Sequence, residues 1–167
     1  MITIRTITVD DAAAFLALCR QLDAETQFMM LEPGERVTTI EERRARIAEL
    51  LSRSNQTTLV ADSGDRLAGY SEGVGGDYRR NWHSAYIVIG VLQSFAGQGL
   101  GTRLFAALEA WAREHAIHRL ELTVMAHNQR GLALYKKMDF EVEGTKRHSL
   151  LVNGVYVDEY YMAKLLS

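Results

Sequence analysis

The sequence predicts an α/β domain of the α+β type, in which a mixed, mostly antiparallel sheet of about seven strands is flanked by about four helices. Runs with the alternation of strands recur along the chain, segments with helical apolar spacing separate some of them, and short polar turns join others. The 167 residues, 47% of them hydrophobic, have the size and composition of a single domain spanning residues 1–167.

The N-terminal half of the chain predicts a strand, two helices and a meander. Residues 2–8 (ITIRTIT) alternate as a half-buried strand does, and Asp10 is the expected cap of the helix that follows. An irregular segment around residues 25–36 contains the only proline and leads into a charged helix over about 39–53. Three strands joined by polar turns then follow, at about 57–62, 66–76 and 83–92.

The C-terminal half predicts two more helices and three strands. Apolar residues at helical spacing mark a helix from residue 99 to about 115, and a strand over about 119–126 precedes a helix from residue 128 to about 138. Asn153-Gly154 then separates two strand-like runs, and both residues accept the positive φ that a two-residue hairpin turn requires. The chain therefore ends in a β-hairpin.

A glycine-rich turn at residues 97–102 (GQGLGT) connects an apolar strand to an amphipathic helix. Glycines at 97, 99 and 101 allow a tight turn, in which unpaired N–H groups at the helix start converge on a phosphate-bearing ligand. The turn lacks the spacing of the dinucleotide fingerprint G-x-G-x-x-G, and it lacks the Lys-Ser/Thr pair of a P-loop. Those two classes of phosphate site are excluded.

Two segments together resemble the GNAT superfamily of N-acetyltransferases. The turn resembles that superfamily's Q/R-x-x-G-x-G/A loop, and residues 122–140 resemble its strand, N-x6-Y helix and terminal G-F, with Asn128 and Tyr135 in the helix. The resemblance implies the GNAT fold and acetyl-CoA as cosubstrate. The chain departs from the pattern at Ala96, where Arg or Gln usually begins the turn, and at Asp139, where glycine usually precedes the phenylalanine.

The resemblance also implies which residues contact the cofactor. Backbone N–H groups on strand 4 would face the pantetheine and the thioester, the turn would hold the pyrophosphate, and Asn128 would cap its helix and bind the cofactor. Tyr135 would lie near the sulfur and donate a proton to the leaving thiolate. The full set consists of Ile89, Gly90, Val91, Gly97, Gln98, Gly99, Leu100, Gly101, Thr102, Asn128 and Tyr135.

The general base is left open among three residues. Thr123 stands where some members of the superfamily keep a glutamate, and Glu121 lies two residues earlier on the same strand face. Glu72 on strand 3 and His83 at the start of strand 4 are the other candidates, acting directly or through a water molecule. The lack of a strong base mildly favours an α-amine acceptor, whose pKa near 8 leaves about a tenth of it neutral at pH 7.

The acceptor pocket is expected between the segment that follows the first helix and the C-terminal hairpin, because these flank the cofactor cleft in the superfamily. Its candidate residues are Glu25, Phe28, Met29, Met30 and Glu35. The carboxylates of the two glutamates would suit a cationic acceptor. A small amine or amino acid and a protein N-terminus both remain possible acceptors. The alternative to an enzyme is a module that binds acyl-CoA without catalysis.

Composition limits the remaining classes. The net charge of −2 and a pI near 6.2 argue against nucleic acid as a partner. The chain has no apolar run of membrane-spanning length or signal peptide, and its one cysteine, Cys19, reads as a small buried residue, so a cytoplasmic location is expected. His115 and His118 are not accompanied by the carboxylate or cysteine ligands that a metal site needs, so no metal is expected. The habit of the superfamily makes a homodimer plausible.

Overall fold

The computed structural model describes residues 1–167, and it confirms the predicted fold class of seven strands and four helices. The strands are Thr3–Thr6 (β1), Gln56–Asp62 (β2), Leu67–Gly75 (β3), Ser84–Val91 (β4), Arg119–Met125 (β5), Glu141–Val152 (β6) and Val155–Leu165 (β7). The helices are Ala12–Glu25 (α1), Ile40–Leu51 (α2), Leu100–Glu114 (α3) and Gln129–Lys137 (α4).

The seven strands form one open sheet in the order β1-β2-β3-β4-β5-β7-β6. Strands β1 to β4 are a meander of antiparallel neighbours, and β5, β7 and β6 are also antiparallel to one another. Only β4 and β5 run parallel, and they pair over just three positions, Ser84–Tyr86 with Arg119–Glu121. Strands β4 and β5 are therefore hydrogen-bonded only at the start of β4, and a gap separates them beyond Tyr86.

Helices cover both faces of the sheet. Tyr70 and Gly90 lie on the α1 face. The Tyr70 ring is edge-on to Phe15 of α1 with ring centroids 5.1 Å apart, and a Cβ atom added at Gly90 would meet Leu22 of α1. The α3 face contains Ser71, whose hydroxyl donates to the carbonyl of Leu104 at 3.2 Å. Because successive residues of a strand point to opposite faces, these contacts assign every residue of β3 and β4 to one face.

The start of α1 differs from the sequence prediction, in which Asp10 caps the helix. A 3-10 turn, Val9–Asp11, leads into α1, and the carboxylate of Asp11 accepts the N–H of Thr8 at 2.8 Å. Arg5 holds Asp11 with two hydrogen bonds of 2.8 Å and lowers its pKa to about 2. Asp10 points to solvent, so the predicted cap is wrong because the Arg5 pair selects the neighbouring carboxylate.

The end of α4 accommodates the unusual Asp139. This residue adopts φ 68°, and its N–H donates to the carbonyl of Lys136 at 3.0 Å while the N–H of Phe140 donates to Tyr135 at 2.9 Å. These two bonds are the Schellman arrangement that usually places glycine at this position. Phe140 is thereby buried against Tyr135.

Two further predictions from the sequence are confirmed. The hairpin turn between β6 and β7 contains Asn153 with φ 50° and Gly154 with φ 77°. Cys19 is buried, and burial raises the pKa of its thiol to about 11, which leaves it protonated near neutral pH. None of the four helices is both long and apolar enough to span a membrane.

Candidate active site

The turn between β4 and α3 presents a row of free hydrogen-bond donors. Gly97 and Gly99 adopt φ of 77° and 75°, and Gly99 is the N-cap of α3. None of the six backbone N–H groups from Gly97 to Thr102 donates to another group of the protein, since the first bond of the helix is Arg103 N–H to the Gly99 carbonyl at 3.1 Å. Such a row beside the positive end of a helix dipole is suited to binding an anion.

A cavity of about 520 Å³ extends from this turn along β4 to α4. Ten of the eleven residues that the sequence assigns to the cofactor line it, and Gln98 alone does not. The ten are Ile89, Gly90, Val91, Gly97, Gly99, Leu100, Gly101, Thr102, Asn128 and Tyr135. Residues from three separate elements, 46 positions apart in the chain at most, thus meet at one cleft.

The upper part of β4 offers unpaired backbone groups to this cavity. The N–H of Leu92 donates to Ala68 on the β3 side at 2.9 Å, so the alternation of an antiparallel ladder turns the N–H groups of Ile89 and Val91 away from β3. Strand β5 has no pairing with β4 there, and these groups therefore face the open gap between the two strands.

Gly90 has a different role from its two neighbours. A Cβ atom at this position would lie 2.9 Å from Leu22 Cδ1 and 3.2 Å from Tyr70 Cε1. The glycine therefore lets α1 and β3 approach the strand closely, while its own backbone groups pair with β3. Of the three strand residues in the predicted cofactor set, Ile89 and Val91 direct donors into the gap.

Helix α4 brings Asn128 and Tyr135 to the other side of the cavity. The Asn128 side chain caps the helix by accepting the N–H of Gly131 at 2.9 Å. Tyr135 packs against Phe105 and Phe140, and burial, with a contribution from nearby Tyr86, raises the pKa of its hydroxyl to about 12. The hydroxyl is therefore protonated at every physiological pH, and it can donate a hydrogen bond to a developing thiolate.

Glu72, like the other two base candidates, does not line the cavity. It is half-buried on the α1 face directly opposite Val88, and its carboxylate accepts the Thr58 hydroxyl at 2.8 Å. Tyr86 is its diagonal neighbour on β4, at about 7–8 Å between Cα atoms. The Tyr86 hydroxyl in turn lies 2.8 Å from that of Thr123, just beyond the last paired position of β4 and β5.

The other two candidates lie on β5 and just before β4. Glu121 is at the last paired position of β4 and β5, where its carboxylate forms an ion pair with Arg119 at 2.8 Å. His83 precedes β4, and the seven residue steps from it to Gly90 amount to about 23 Å of strand. Its carbonyl accepts the N–H groups of His118 and Arg119 at 2.9 and 3.1 Å, which secures the opposite end of the sheet.

The residues expected to bind the acceptor divide into two groups. Phe28 and Met29 line the cavity, and Phe28 lies 5.1 Å from the ring of His127. Glu25 also lines it, but its carboxylate accepts the N–H of Gln93 at 2.6 Å and so ties α1 to the end of β4. Glu35 lies outside the cavity and accepts the N–H of Glu32 at 2.7 Å.

Several lining residues were missed by the sequence reasoning. They are Leu22, Thr26, Phe95, Arg130 and Leu134. Tyr86 was also missed; it does not line the cavity, but its hydroxyl contacts that of Thr123 at the start of the gap. Arg130 and Tyr86 had a signal in the sequence, since Arg130 lies two residues after Asn128 and Tyr86 shares the strand face of Val88. The others are apolar or small residues that a helix or loop presents for packing. No three His, Cys, Asp or Glu side chains are grouped to hold a metal ion.

Comparisons with known proteins agree with this geometry. Residues 19–140 match the family model described as acetyltransferase (GNAT) family. In Escherichia coli K12, an L-amino acid N-acetyltransferase is 37% identical over 90 residues, which are 52% of this chain and 54% of that protein. A [ribosomal protein uS5]-alanine N-acetyltransferase of the same organism is 33% identical over 86 residues, covering 51% of this chain and 44% of that protein.

The similarity also extends over the whole fold. A crystal structure described as the acetyltransferase of GNAT family from Streptococcus pneumoniae superposes with a TM-score of 0.96 at 30% identity, covering 99% of this chain and 100% of that one. The matches to the two Escherichia coli enzymes, in contrast, span only about half the length of those relatives. From the family model and the superposition we conclude that the chain belongs to the acetyltransferase (GNAT) family.

Proposed function

We propose that the protein transfers the acetyl group of acetyl-CoA directly to the primary amine of a small molecule, with a free amino acid as the acceptor. The row of six unpaired N–H groups at Gly97–Thr102, opening into a cavity that reaches Tyr135, is the observation on which this proposal rests. The row suits the pyrophosphate of acetyl-CoA, and the gap beside β4 has the donors and the length to take an extended pantetheine.

The fit to the cosubstrate is supported by free backbone groups rather than by charged side chains. Ile89 and Val91 direct N–H groups into the gap, where a thioester carbonyl would accept one of them. Ala96 also lines the cavity, and its small side chain leaves the donors of the turn unobstructed. When bound, acetyl-CoA supplies the acetyl group, and the residues around it position and polarise that group.

Two residues are assigned to the proton acceptor and hydrogen-bond donor roles, Glu72 and Tyr135. Glu72 on the α1 face is the proposed base, acting on the acceptor amine through a water molecule, because its carboxylate is half-buried beside the unpaired part of β4. Tyr135 donates a hydrogen bond to the leaving thiolate. Full proton transfer from a hydroxyl of pKa about 12 to a thiolate whose thiol has a pKa near 8.5 would be uphill by about 5 kcal/mol.

A free amino acid is favoured over a protein N-terminus because the acceptor side of the cleft is narrowed. The segment that follows α1 approaches the hairpin tip, where Asn153 Nδ2 lies 3.3 Å from Gln27 Oε1. This contact leaves little room for a continuing peptide chain. The L-amino acid N-acetyltransferase among the relatives supports the first acceptor class, and the ribosomal-protein enzyme supports the second.

Release of free CoA thiol from acetyl-CoA, measured with amino acids and with tetrapeptides that begin with the same residues, tests the proposal. We expect turnover on free amino acids, and a kcat/KM at least about tenfold lower on each matched peptide. Turnover confined to peptides would assign the enzyme to protein N-termini. Binding of CoA without thiol release on any acceptor would overturn the proposed activity.

A further inference from the structure

The last turn of α1 lies directly over the unpaired part of β4. Apolar residues at helical spacing, Phe15, Leu18 and Leu22, place one side of α1 on the sheet. A Cβ atom at Gly90 would lie 2.9 Å from Leu22 Cδ1 and 3.2 Å from Tyr70 Cε1, so these two side chains fill the space over the strand. Leu22 is 2% exposed and lines the cavity, and it therefore forms the wall of the cavity on the α1 side of Gly90.

Two polar contacts fix the position of this turn of α1. The carboxylate of Glu25, which follows Leu22 by three residues, accepts the N–H of Gln93 just beyond β4 at 2.6 Å. The carboxylate of the buried Asp23 accepts two hydrogen bonds from Arg36, at 2.8 and 3.1 Å. A movement of Leu22 away from β4 would therefore break contacts to two other parts of the chain.

A ligand that passes through the gap beside β4 meets this wall. The turn at Gly97–Thr102 leads into α3, which packs on the face of the sheet opposite to α1. Acetyl-CoA with its pyrophosphate at the turn would therefore extend through the gap toward the α1 face. Its thioester carbonyl would accept the N–H of Ile89 or Val91, each one residue from the strand position that Leu22 covers. The acyl carbons beyond that carbonyl would then lie next to Leu22.

We infer that Leu22 sets the length of the acyl group, so that the protein accepts acetyl-CoA and excludes acyl chains of four carbons or more. The inference rests on the proposed function for the position of the acyl group. Closely packed side chains leave no room for added methylenes, and the contacts of Glu25 and Asp23 oppose the movement of α1 that would make room. The inference extends the proposed function from the acceptor to the acyl donor.

Calorimetric titration of the protein with acetyl-CoA and with butyryl-CoA tests this inference, with no amine present to receive the acyl group. Forcing extra methylenes against a packed wall weakens binding about 5- to 140-fold. We therefore expect butyryl-CoA to bind at least about fivefold more weakly than acetyl-CoA. Without the wall, the two added methylenes would strengthen binding about 14-fold if buried and leave it unchanged if they stayed in water. Butyryl-CoA that binds as tightly as acetyl-CoA, or more tightly, would overturn the inference.

A matched pair of variants assigns the effect to Leu22. Leu18 and Leu22 lie one turn apart on α1 and are 3% and 2% exposed, but only Leu22 lines the cavity. We expect Leu22→Ala to reduce the preference for acetyl-CoA over butyryl-CoA to less than about twofold, and Leu18→Ala to preserve it. Leu22→Val removes less volume, keeps the core filled if alanine unfolds the protein, and should weaken the preference in the same direction. Equal effects at the two positions would contradict the assignment.

Thiol release from the two donors, measured after addition of free amino acids, separates the two proposals. Leu22-dependent preference for acetyl-CoA in binding, without thiol release from either donor, would support the role of Leu22 and overturn the proposed activity. Thiol release that is equally fast from acetyl-CoA and butyryl-CoA would support acyl transfer and overturn the role of Leu22.

Discussion

The two sides of the cleft differ in the groups that line them. The side proposed to bind the cofactor consists of backbone groups at the ends of regular elements, namely β4, the turn at Gly97–Thr102 and the start of α3. The acceptor side consists of side chains from the irregular segment Thr26–Pro33 and from the tip of the β6–β7 hairpin. Backbone donors recognise a ligand that is common to a family, whereas exposed side chains can change with the acceptor.

This difference predicts where each kind of substitution acts. Changes in backbone geometry at the turn should weaken binding of acetyl-CoA for every acceptor. Changes of side chains at the acceptor side should alter turnover or acceptor preference and leave acetyl-CoA binding intact. The following substitutions test this division, from the largest expected effect to the smallest.

Glu72→Gln should lower kcat by about 10²- to 10⁴-fold, because general base catalysis contributes this much when the base is positioned. Glutamine keeps an oxygen that accepts the Thr58 hydroxyl, so the strand pairing should survive. Glu121→Gln is the control, since that carboxylate is already paired with Arg119. Steady-state rates that fall equally in both variants would show that Glu72 is not the general base.

Gly99→Ala should raise the KM for acetyl-CoA about 10- to 100-fold, because the φ of 75° becomes strained and one or two N–H groups lose their alignment with phosphate. Gly64→Ala is matched to it. Both glycines have positive φ and no atom within 4 Å of an added Cβ, but Gly64 lies in the turn between β2 and β3.

Both glycine variants should lose about 1–2 kcal/mol of stability. Only Gly99→Ala should change the KM, as measured by initial rates over a range of acetyl-CoA concentrations. An equal KM in the two variants would show that the turn does not bind the cosubstrate.

Tyr135→Phe should lower kcat about tenfold without moving the pH profile between pH 6 and 10. The pKa of about 12 keeps the hydroxyl protonated over this range, so the rise of rate with pH reports the acceptor amine in both proteins. The measurement is the rate as a function of pH in both proteins. A decline below pH 10 that the unmodified protein shows and Tyr135→Phe lacks would contradict this role.

Asp139→Gly should raise the free energy of unfolding by about 0.5 kcal/mol, because glycine adopts the φ of 68° without strain. Lys136→Gly, one turn earlier on the exposed side of α4, should lower it by a similar amount. Urea denaturation measures both. A loss of stability in both variants would mean that Asp139 makes a contribution beyond the helix end.

The sequence was sufficient to predict the fold and a set of residues of which ten line one cavity. Periodicity located the strands and helices, and the glycine spacing located the turn, because both depend on local backbone geometry. The resemblance to GNAT enzymes added Asn128 and Tyr135. The cap at Asp10 was mistaken because the choice of Asp11 depends on Arg5, a contact between elements that local preference does not encode.

The acceptor side was less predictable for a physical reason. Glu25 and Glu35 suggested a cationic acceptor, but backbone N–H groups of Gln93 and Glu32 engage their carboxylates. A cavity of about 130 Å³ between the irregular segment and the hairpin tip combines Met125 at the end of β5 with residues more than 20 positions away on either side. Such a cavity exists only once the segment and the hairpin meet, and local sequence patterns do not encode that contact.

Amide hydrogen exchange with and without CoA tests the central claim most directly. The N–H groups of Gly97–Thr102 have no partner in the protein, so they should exchange freely in the absence of ligand and become strongly protected when CoA binds. The hairpin turn at Asn153-Gly154 should show no such change. Binding of CoA that leaves the Gly97–Thr102 amides unprotected would contradict the account.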